Sequence, residues 1–332
     1  MYPPTITETI ANVSTSVIAW SIVAATCMRI FVIRNRPRGA RIVSELLESF
    51  IVAIVLVFLV IRPFAIQAYF IPSPSMEPTL IGKNGVGDRI LVNKLVYRFT
   101  KPQRNDVVVF VPPPAATEGS SIEAAGQVNY IKRLIGRPGD VIEAHAGRLI
   151  VNGTAFSHAM VRRELADNAY FGEEGLNEPD LQADHHVKFV ADGVMVDGAR
   201  IPNAELGRIF ANDAAAAIKV VPGFIARNGV ALHEPFVAED PDYDLKIWHG
   251  EPLKFDQSAQ PRLAGVPISQ KDYDTAASAK PEPIPEGKLF MMGDNRNDSK
   301  DSTEWGPLDE RRVIGKAELV FWPLKRMAAI TR

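Results

Sequence analysis

Cysteine is almost absent from this chain. The single Cys27 lies inside the first apolar segment, so no intrachain disulfide can form and a zinc site built on cysteines is excluded. An excess of charge of either sign is also missing. With 37 Lys and Arg against 39 Asp and Glu the net charge is -2, which gives no general case for nucleic-acid binding. Histidine is sparse, and the adjacent pair His185-His186 follows Asp184 in an acidic stretch, a setting of solvated side chains more than of metal ligands. The length of 332 residues accommodates a membrane anchor plus one large or two small soluble domains.

Long uncharged runs are few, and both lie near the N-terminus. Thr9–Met28 has no charged side chain over 20 residues, enough to cross a bilayer at about 1.5 Å per helical residue. The basic cluster follows this run, where a cleavable signal sequence would have it in front, so the segment is expected to be a retained anchor. Phe50–Ile61 is uncharged over only twelve residues, by itself the length of a buried core helix. Leu46 and Leu47 lengthen it, Arg62 is placed to snorkel, and Phe64, Tyr69 and Phe70 suit an interfacial belt. A second span is therefore expected. Arg34, Arg36, Arg38 and Arg41 lie between the two runs with no acidic residue among them. The positive-inside rule assigns that loop to the cytoplasm, and the N-terminus and everything after residue 70 to the outside.

Beyond the anchor, β-branched runs separated by turn residues predict strands at Ile90-Leu91-Val92, Val107 to Val111, Val141-Ile142 and Leu149-Ile150-Val151. Asn152-Gly153 and Asn228-Gly229 are strong two-residue hairpin signals, because both residue types tolerate the positive φ of a type I′ turn. Pro112-Pro113-Pro114 and the Ala, Gly and Ser residues up to 126 predict an exposed loop. Residues 154–285 are acidic in patches, at Glu173-Glu174, Asp180, Asp184 and Glu239 to Asp244, and are expected to form an inserted second domain.

Two segments carry candidate chemistry. Ser75 lies in Pro72-Ser73-Pro74-Ser75-Met76-Glu77-Pro78-Thr79-Leu80, just after the second apolar run. Lys132 lies in Tyr130-Ile131-Lys132-Arg133-Leu134-Ile135-Gly136-Arg137-Pro138-Gly139-Asp140. A serine hydroxyl is a weak nucleophile until a base takes its proton, and a lysine does so only when neutral. Bringing a lysine from its ordinary pKa of about 10.4 to about 8 requires roughly 3 kcal/mol. Desolvation acts in that direction, and Tyr130, Ile131, Met291 and Met292 are candidates for the apolar wall. The plain alternatives are a turn serine between prolines and a solvated surface lysine.

Gly293-Asp294-Asn295-Arg296-Asn297-Asp298-Ser299-Lys300-Asp301-Ser302 alternates acids and amides as a calcium loop does. Arg296 stands where such a loop needs an oxygen ligand, and no glycine follows Asp298. No metal and no cofactor are expected. Asp294 and Asp301 are expected to support the site through hydrogen bonds and ion pairs.

The Ser75 and Lys132 segments, followed by Met291-Met292-Gly293-Asp294-Asn295-Arg296, closely resemble bacterial type I signal peptidase, the family of membrane-bound Ser-Lys endopeptidases that remove signal peptides. The resemblance covers residues 45–110, 128–153 and 286–322. It implies a mostly β periplasmic domain of antiparallel sheets behind N-terminal transmembrane α-helices. The implied organisation is a membrane anchor at 1–69 and a catalytic core at 70–153 and 286–325, interrupted by the second domain at 154–285. Ser75 would be the nucleophile and Lys132 the general base. The Ser73 hydroxyl would join the Ser75 N–H as an oxyanion donor, and Ser299 would hydrogen-bond and orient the lysine. The implied partners are signal-peptide-bearing preproteins, cut after small residues, and membrane lipid, with no nucleic acid. The implied place is the bacterial inner membrane, multi-pass, facing the periplasm and downstream of the export translocase. The alternatives are a Ser-Lys maturation peptidase dedicated to one secretion or conjugation substrate, and a non-enzymatic envelope scaffold. A cytosolic self-cleaving repressor-type protease would have no anchor.

The chain departs from the family pattern at several positions. Asn297-Asp298 inverts a common Asp-Asn order, Lys300 replaces a small residue and Thr303 replaces an arginine. That arginine normally pairs with nearby aspartates, which leaves Arg296 or Lys300 as its substitute beside Asp301. Asn105 stands where the family often has glycine, an exchange that suits a left-handed turn position.

Overall fold

A computed structural model of the chain describes residues 15–35, 40–56, 65–83, 87–117, 129–168, 186–255 and 261–331. They belong to two compact units, one of residues 1–71, 85–101 and 315–331 and the other chiefly of residues 72–84 and 102–314.

In the first unit, helix α1 spans Thr15–Asn35 and helix α2 spans Ala40–Ile54. Ser16–Asn35, with a mean hydropathy of 2.0, is the one helix among the described residues that is long and apolar enough to cross a membrane. Helix α2 is amphipathic and carries Arg41, Glu45 and Glu48, with Glu48 bound to Arg29 of α1 at 2.5 Å. The end of the second apolar run, from residue 57, lies outside the described residues, as do Arg36 and Arg38 of the basic loop. After the helices, strand β1 (Ile66–Phe70) pairs antiparallel with β2 (Arg89–Asn93), and β2 with the long strand Val313–Trp322.

The second unit begins with β3 (Val107–Phe110), β4 (Tyr130–Gly136), β5 (Ile142–His145), β6 (Arg148–Val151) and β7 (Thr154–Phe156), followed by helix α3 (His158–Asp167). Next come β8 (Val187–Val190), β9 (Gly193–Val196), β10 (Ala199–Ile201), helix α4 (Asn203–Ala211), β11 (Ile218–Val221), β12 (Phe224–Arg227) and β13 (Val230–Ala231). The chain continues through β14 (Asp244–Trp248), β15 (Glu251–Phe255), β16 (Pro261–Leu263), β17 (Val266–Pro267), β18 (Lys288–Met292), the short helix α5 (Ser302–Trp305) and β19 (Leu308–Asp309). The fold is mostly β and its sheets are antiparallel.

Strands β3, β4, β18 and β19 lie side by side in that order and carry the candidate site. All four residues of β3 are buried, as its unbroken Val-Val-Val-Phe run requires of a strand covered on both faces. A seven-stranded sheet runs β13-β12-β5-β14-β15-β16-β17, and two three-stranded sheets run β11-β6-β7 and β10-β9-β8. One apolar cluster joins Ile135, Phe290 and Met292 to Ile142, Ile225 and Ile247, and a second gathers Leu149, Val161, Leu165, Phe189, Val194 and Leu206.

Both Asn-Gly pairs turn hairpins as their chemistry dictates. Asn152 and Gly153, with φ of 49° and 84°, link β6 to β7, and Asn228 and Gly229, with φ of 55° and 77°, link β12 to β13. The 153/154 boundary expected for an inserted second domain falls at the first of these turns.

Candidate active site

Ser75 occupies the middle of a single 3-10 turn, Pro74–Met76. Proline suits the first position of such a turn, where its missing N–H is not needed. The Glu77 N–H closes the turn on the Pro74 carbonyl at 2.9 Å, and the Leu80 N–H bonds the Met76 carbonyl at 2.9 Å. Met76 and Leu80 are fully buried and pin the turn to the interior. Asn295 grips it twice: its backbone N–H donates to the Ser75 carbonyl at 3.2 Å and its side-chain amide to the Pro74 carbonyl at 3.4 Å. Gly82 packs against the backbone of Ser73 so closely that a Cβ there would lie 1.6 Å from the Ser73 carbonyl oxygen.

Lys132 projects from β4, where it is paired with Val108 of β3. It is only 4% exposed, and its Nζ lies 2.5 Å from Ser75 Oγ. Burial lowers its pKa to about 8, outweighing the charges of Asp301, Asp294 and Asp298, which pull it upward. The Tyr130 ring lies 6.0 Å from Nζ. Side chains alternate along a strand, so the pairing of Met291 with Leu134 and of Met292 with Arg133 puts Met291 on the lysine's face and Met292 on the other. Met292 instead fills the apolar cluster with Ile135 and Phe290. A cleft of about 340 Å³, lined among others by Ser73, Ser75, Tyr130, Lys132, Asp298 and Lys300, gives access to the Ser75 and Lys132 pair.

Ser73 Oγ is 3.4 Å from Ser75 Oγ. Ser299 Oγ is buried next to Gly293, where a glycine Cβ would meet it at 2.3 Å, but it makes no hydrogen bond. The bond from Ser299 to Lys132 implied by the family resemblance is therefore not formed in this conformation.

The two aspartates are held differently. The buried Asp294 accepts Arg133 Nε and Nη2 at 2.7 Å each, and the Thr79 hydroxyl at 2.6 Å. Arg133 also donates Nη1 to the Asn105 carbonyl at 2.8 Å and lies 3.8 Å over the Phe236 ring. Asn105 has φ of 68°, the left-handed conformation that its place in a glycine-favouring turn predicts. Asp301 caps α5 and accepts backbone N–H groups from Gly293 at 2.8 Å and Thr303 at 3.0 Å. Arg296 does not take over for the arginine that Thr303 replaces. It is fully buried and bound to both oxygens of Glu234, at 2.9 and 2.7 Å, and to the Gly293 carbonyl at 3.0 Å. Lys300 lines the cleft. Asp301 thus relies on backbone donors in place of a guanidinium.

Arg133, Thr79, Asn295 and Glu234 belong to this network but were not expected from the sequence. The only local signal is that Arg133 sits inside the apolar run Ile131 to Ile135, where a strand buried on both faces leaves no wet side for a charge. A buried arginine then needs a carboxylate, but nothing nearby in sequence says which.

A family model described as signal peptidase, peptidase S26, matches residues 43–206 and 215–322, a span that includes every residue of the site just described. The chain is 30% identical over 279 residues, 84% of each chain, to a protein named Signal peptidase I from Aquifex aeolicus (strain VF5). It is 24% identical over 297 residues, 89% of this chain and 88% of the relative, to Signal peptidase I from Leptolyngbya laminosa. To Signal peptidase I from Mycobacterium tuberculosis (strain ATCC 25618 / H37Rv) it is 29% identical over 311 residues, 89% of this chain and 79% of the relative. With a buried serine and lysine in contact and a family match over most of its length, this chain belongs to the signal peptidase family, peptidase S26.

Proposed function

We propose that the protein is a membrane-anchored serine endopeptidase that removes signal peptides from exported preproteins, with Ser75 as nucleophile and Lys132 as general base. The observation that carries this reading is the 2.5 Å approach of a buried Lys132 Nζ to Ser75 Oγ, with the lysine brought to about 8 by burial. When the lysine is neutral, the Ser75 hydroxyl donates to the Nζ lone pair. As Oγ attacks the scissile carbonyl the proton passes to Nζ, and the resulting ammonium protonates the leaving amine. The signal peptide remains as an ester on Ser75 until a water molecule, deprotonated by the same lysine, hydrolyses it. The Ser75 N–H and the Ser73 hydroxyl supply the donors for the oxyanion, and Ser299 is the residue that would orient the lysine. Small side chains before the cleaved bond are favoured, in keeping with the A-x-A pattern of signal peptides.

The anchor comprises α1 and a second span that begins in α2, with the Arg34 to Arg41 loop in the cytoplasm. The catalytic core of residues 70–153 and 286–325 then faces the periplasm of a bacterial inner membrane, in contact with lipid and downstream of the export translocase. Residues 154–285 act as an inserted domain that braces the site through Glu234 on Arg296 and Glu239 on Asn297.

Incubating the detergent-solubilised protein with a panel of preproteins, beside Ser75→Ala, tests this directly. The expected result is cleavage of several preproteins after small residues, by the wild type alone. Cleavage of one preprotein only would favour the dedicated maturation peptidase, and equal behaviour of wild type and variant would overturn the mechanism.

A further inference from the structure

The inverted Asn297-Asp298 order has a visible consequence. Asn297 Nδ2 donates to Glu239 Oε2 at 2.9 Å and to the Asp240 carbonyl at 3.1 Å, while its Oδ1 accepts the Asp242 N–H at 3.0 Å. An aspartate at 297 has no N–H to give and would set its charge against Glu239. The carboxylate stands instead at 298, where it lines both the catalytic cleft and a second cavity of about 370 Å³.

Acids and bases both line this second cavity, and three of the bases face carboxylates. Arg162 binds Glu239 at 2.7 Å, His186 lies 3.7 Å from the same carboxylate, and Arg163 lies 3.7 Å from Asp167. The carboxylates of Asp242 and Asp298 have no hydrogen bond or ion pair among the described residues. Burial raises the Asp242 carboxyl above its ordinary value, outweighing the opposite pull of His158, Lys254 and Arg162. A second feature is independent of these acids. His158, 1% exposed, lines the cavity and stacks on Phe189 at 4.0 Å. Its Nε2 is 3.1 Å from Asp240 Oδ1 but out of line for a hydrogen bond, and Nδ1 has no partner. Buried polar atoms left unpaired are uncommon, and this one belongs to a residue that lines the cavity.

We propose that this cavity is a substrate subsite for a basic side chain, lysine or arginine, of the preprotein, a few residues from the scissile bond along the path over Asp298. The proposal rests on the signal-peptidase reading and adds a charge preference to it. Lys300 lines only the catalytic cleft, so it disfavours a basic residue beside the scissile bond and confines the preference to the farther cavity.

Internally quenched peptides test it, each with the same small-residue cleavage site and a single Lys, Ala or Glu at successive positions on either side. Full-length protein in detergent should cleave the Lys peptide at one position roughly three- to tenfold faster in kcat/KM than its Ala counterpart, with Glu slowest. High salt should shrink that ratio. Asp298→Asn and Asp242→Asn should each bring the Lys-to-Ala ratio toward one. Asp298 is exposed, so its exchange leaves the packing intact and keeps the test valid if Asp242→Asn fails to fold. Its effect on the Lys132 pKa acts on both peptides and cancels in the ratio. A wild-type ratio near one at every position, or a preference that both variants retain, overturns the subsite while Ser75-dependent cleavage of the Ala peptide preserves the peptidase reading. Absence of that cleavage overturns both.

Discussion

Arg133 and Asp294, 161 positions apart in the chain, meet through two hydrogen bonds of 2.7 Å with at most 1% of either side chain exposed. Arg133 follows Lys132 on β4, and Asp294 precedes Asn295, whose N–H holds the Ser75 carbonyl. The ion pair therefore joins the strand that carries the lysine to the segment that grips the serine.

Removing one partner strands a buried charge, which typically destabilises by about 3–5 kcal/mol, whereas replacing both by apolar groups is often close to neutral. Arg133→Met is expected to lower the urea midpoint of unfolding accordingly, and Arg133→Met with Asp294→Leu to recover much of the loss. A single variant as stable as wild type would show that water or another cation already satisfies Asp294.

Ser75→Ala and Lys132→Ala should each reduce preprotein cleavage by at least about 10³-fold, and the double variant should be no worse, since nucleophile and base act as one unit. Circular dichroism should be unchanged in all three. Independent, multiplying losses measured in single-turnover assays would argue for a base other than Lys132.

Asn105, with φ of 68°, tests the backbone of the same network, because its carbonyl receives Arg133. Glycine should be tolerated there within about 1 kcal/mol, while valine, which the left-handed region disfavours, should cost about 1–2 kcal/mol or more. Equal stabilities of the two variants would mean that the turn relaxes to another conformation.

Much of this was legible because it is local. The Val107 run, the Leu149 run and the two Asn-Gly turns carry their own signals in residue type and spacing, and the left-handed Asn105 follows from turn chemistry. Ser75 and Lys132 were found by segment resemblance, not by any force readable from one dimension. Pairings between distant parts were hidden. Arg133 with Asp294 and Arg296 with Glu234 each need a register that places two far strands or loops together, and charged side chains are ordinarily exposed. The face on which Met292 lies was hidden for a related reason. Consecutive methionines on a strand point opposite ways, and a bulge between Phe290 and Met291 shifts the register between β18 and β4. The exchange of arginine for Thr303 left Asp301 open because the backbone donors that satisfy it appear only once α5 has formed.

The pH dependence links the buried lysine to both rate and stability. The Lys132 pKa falls from an ordinary 10.5 to about 8 by burial, so kcat/KM should rise from neutral pH to a limb near pH 8 as the base becomes neutral. Asp301 pulls that pKa upward, so Asp301→Asn should move the limb to lower pH, even if losing an N–H acceptor lowers the plateau. Stability follows with a definite sign. Above pH 10.5 the lysine is neutral in both states and imposes no penalty. Between pH 10.5 and 8 the unfolded chain takes up the proton first, so stability falls as pH falls, by an order of about 3 kcal/mol in all, and levels off below pH 8. Lys132→Met should remove this slope from the pH dependence of the unfolding free energy. A wild-type rate limb near pH 6, or an unfolding profile identical in Lys132→Met, would show that the lysine is not the group titrating and that another base serves Ser75.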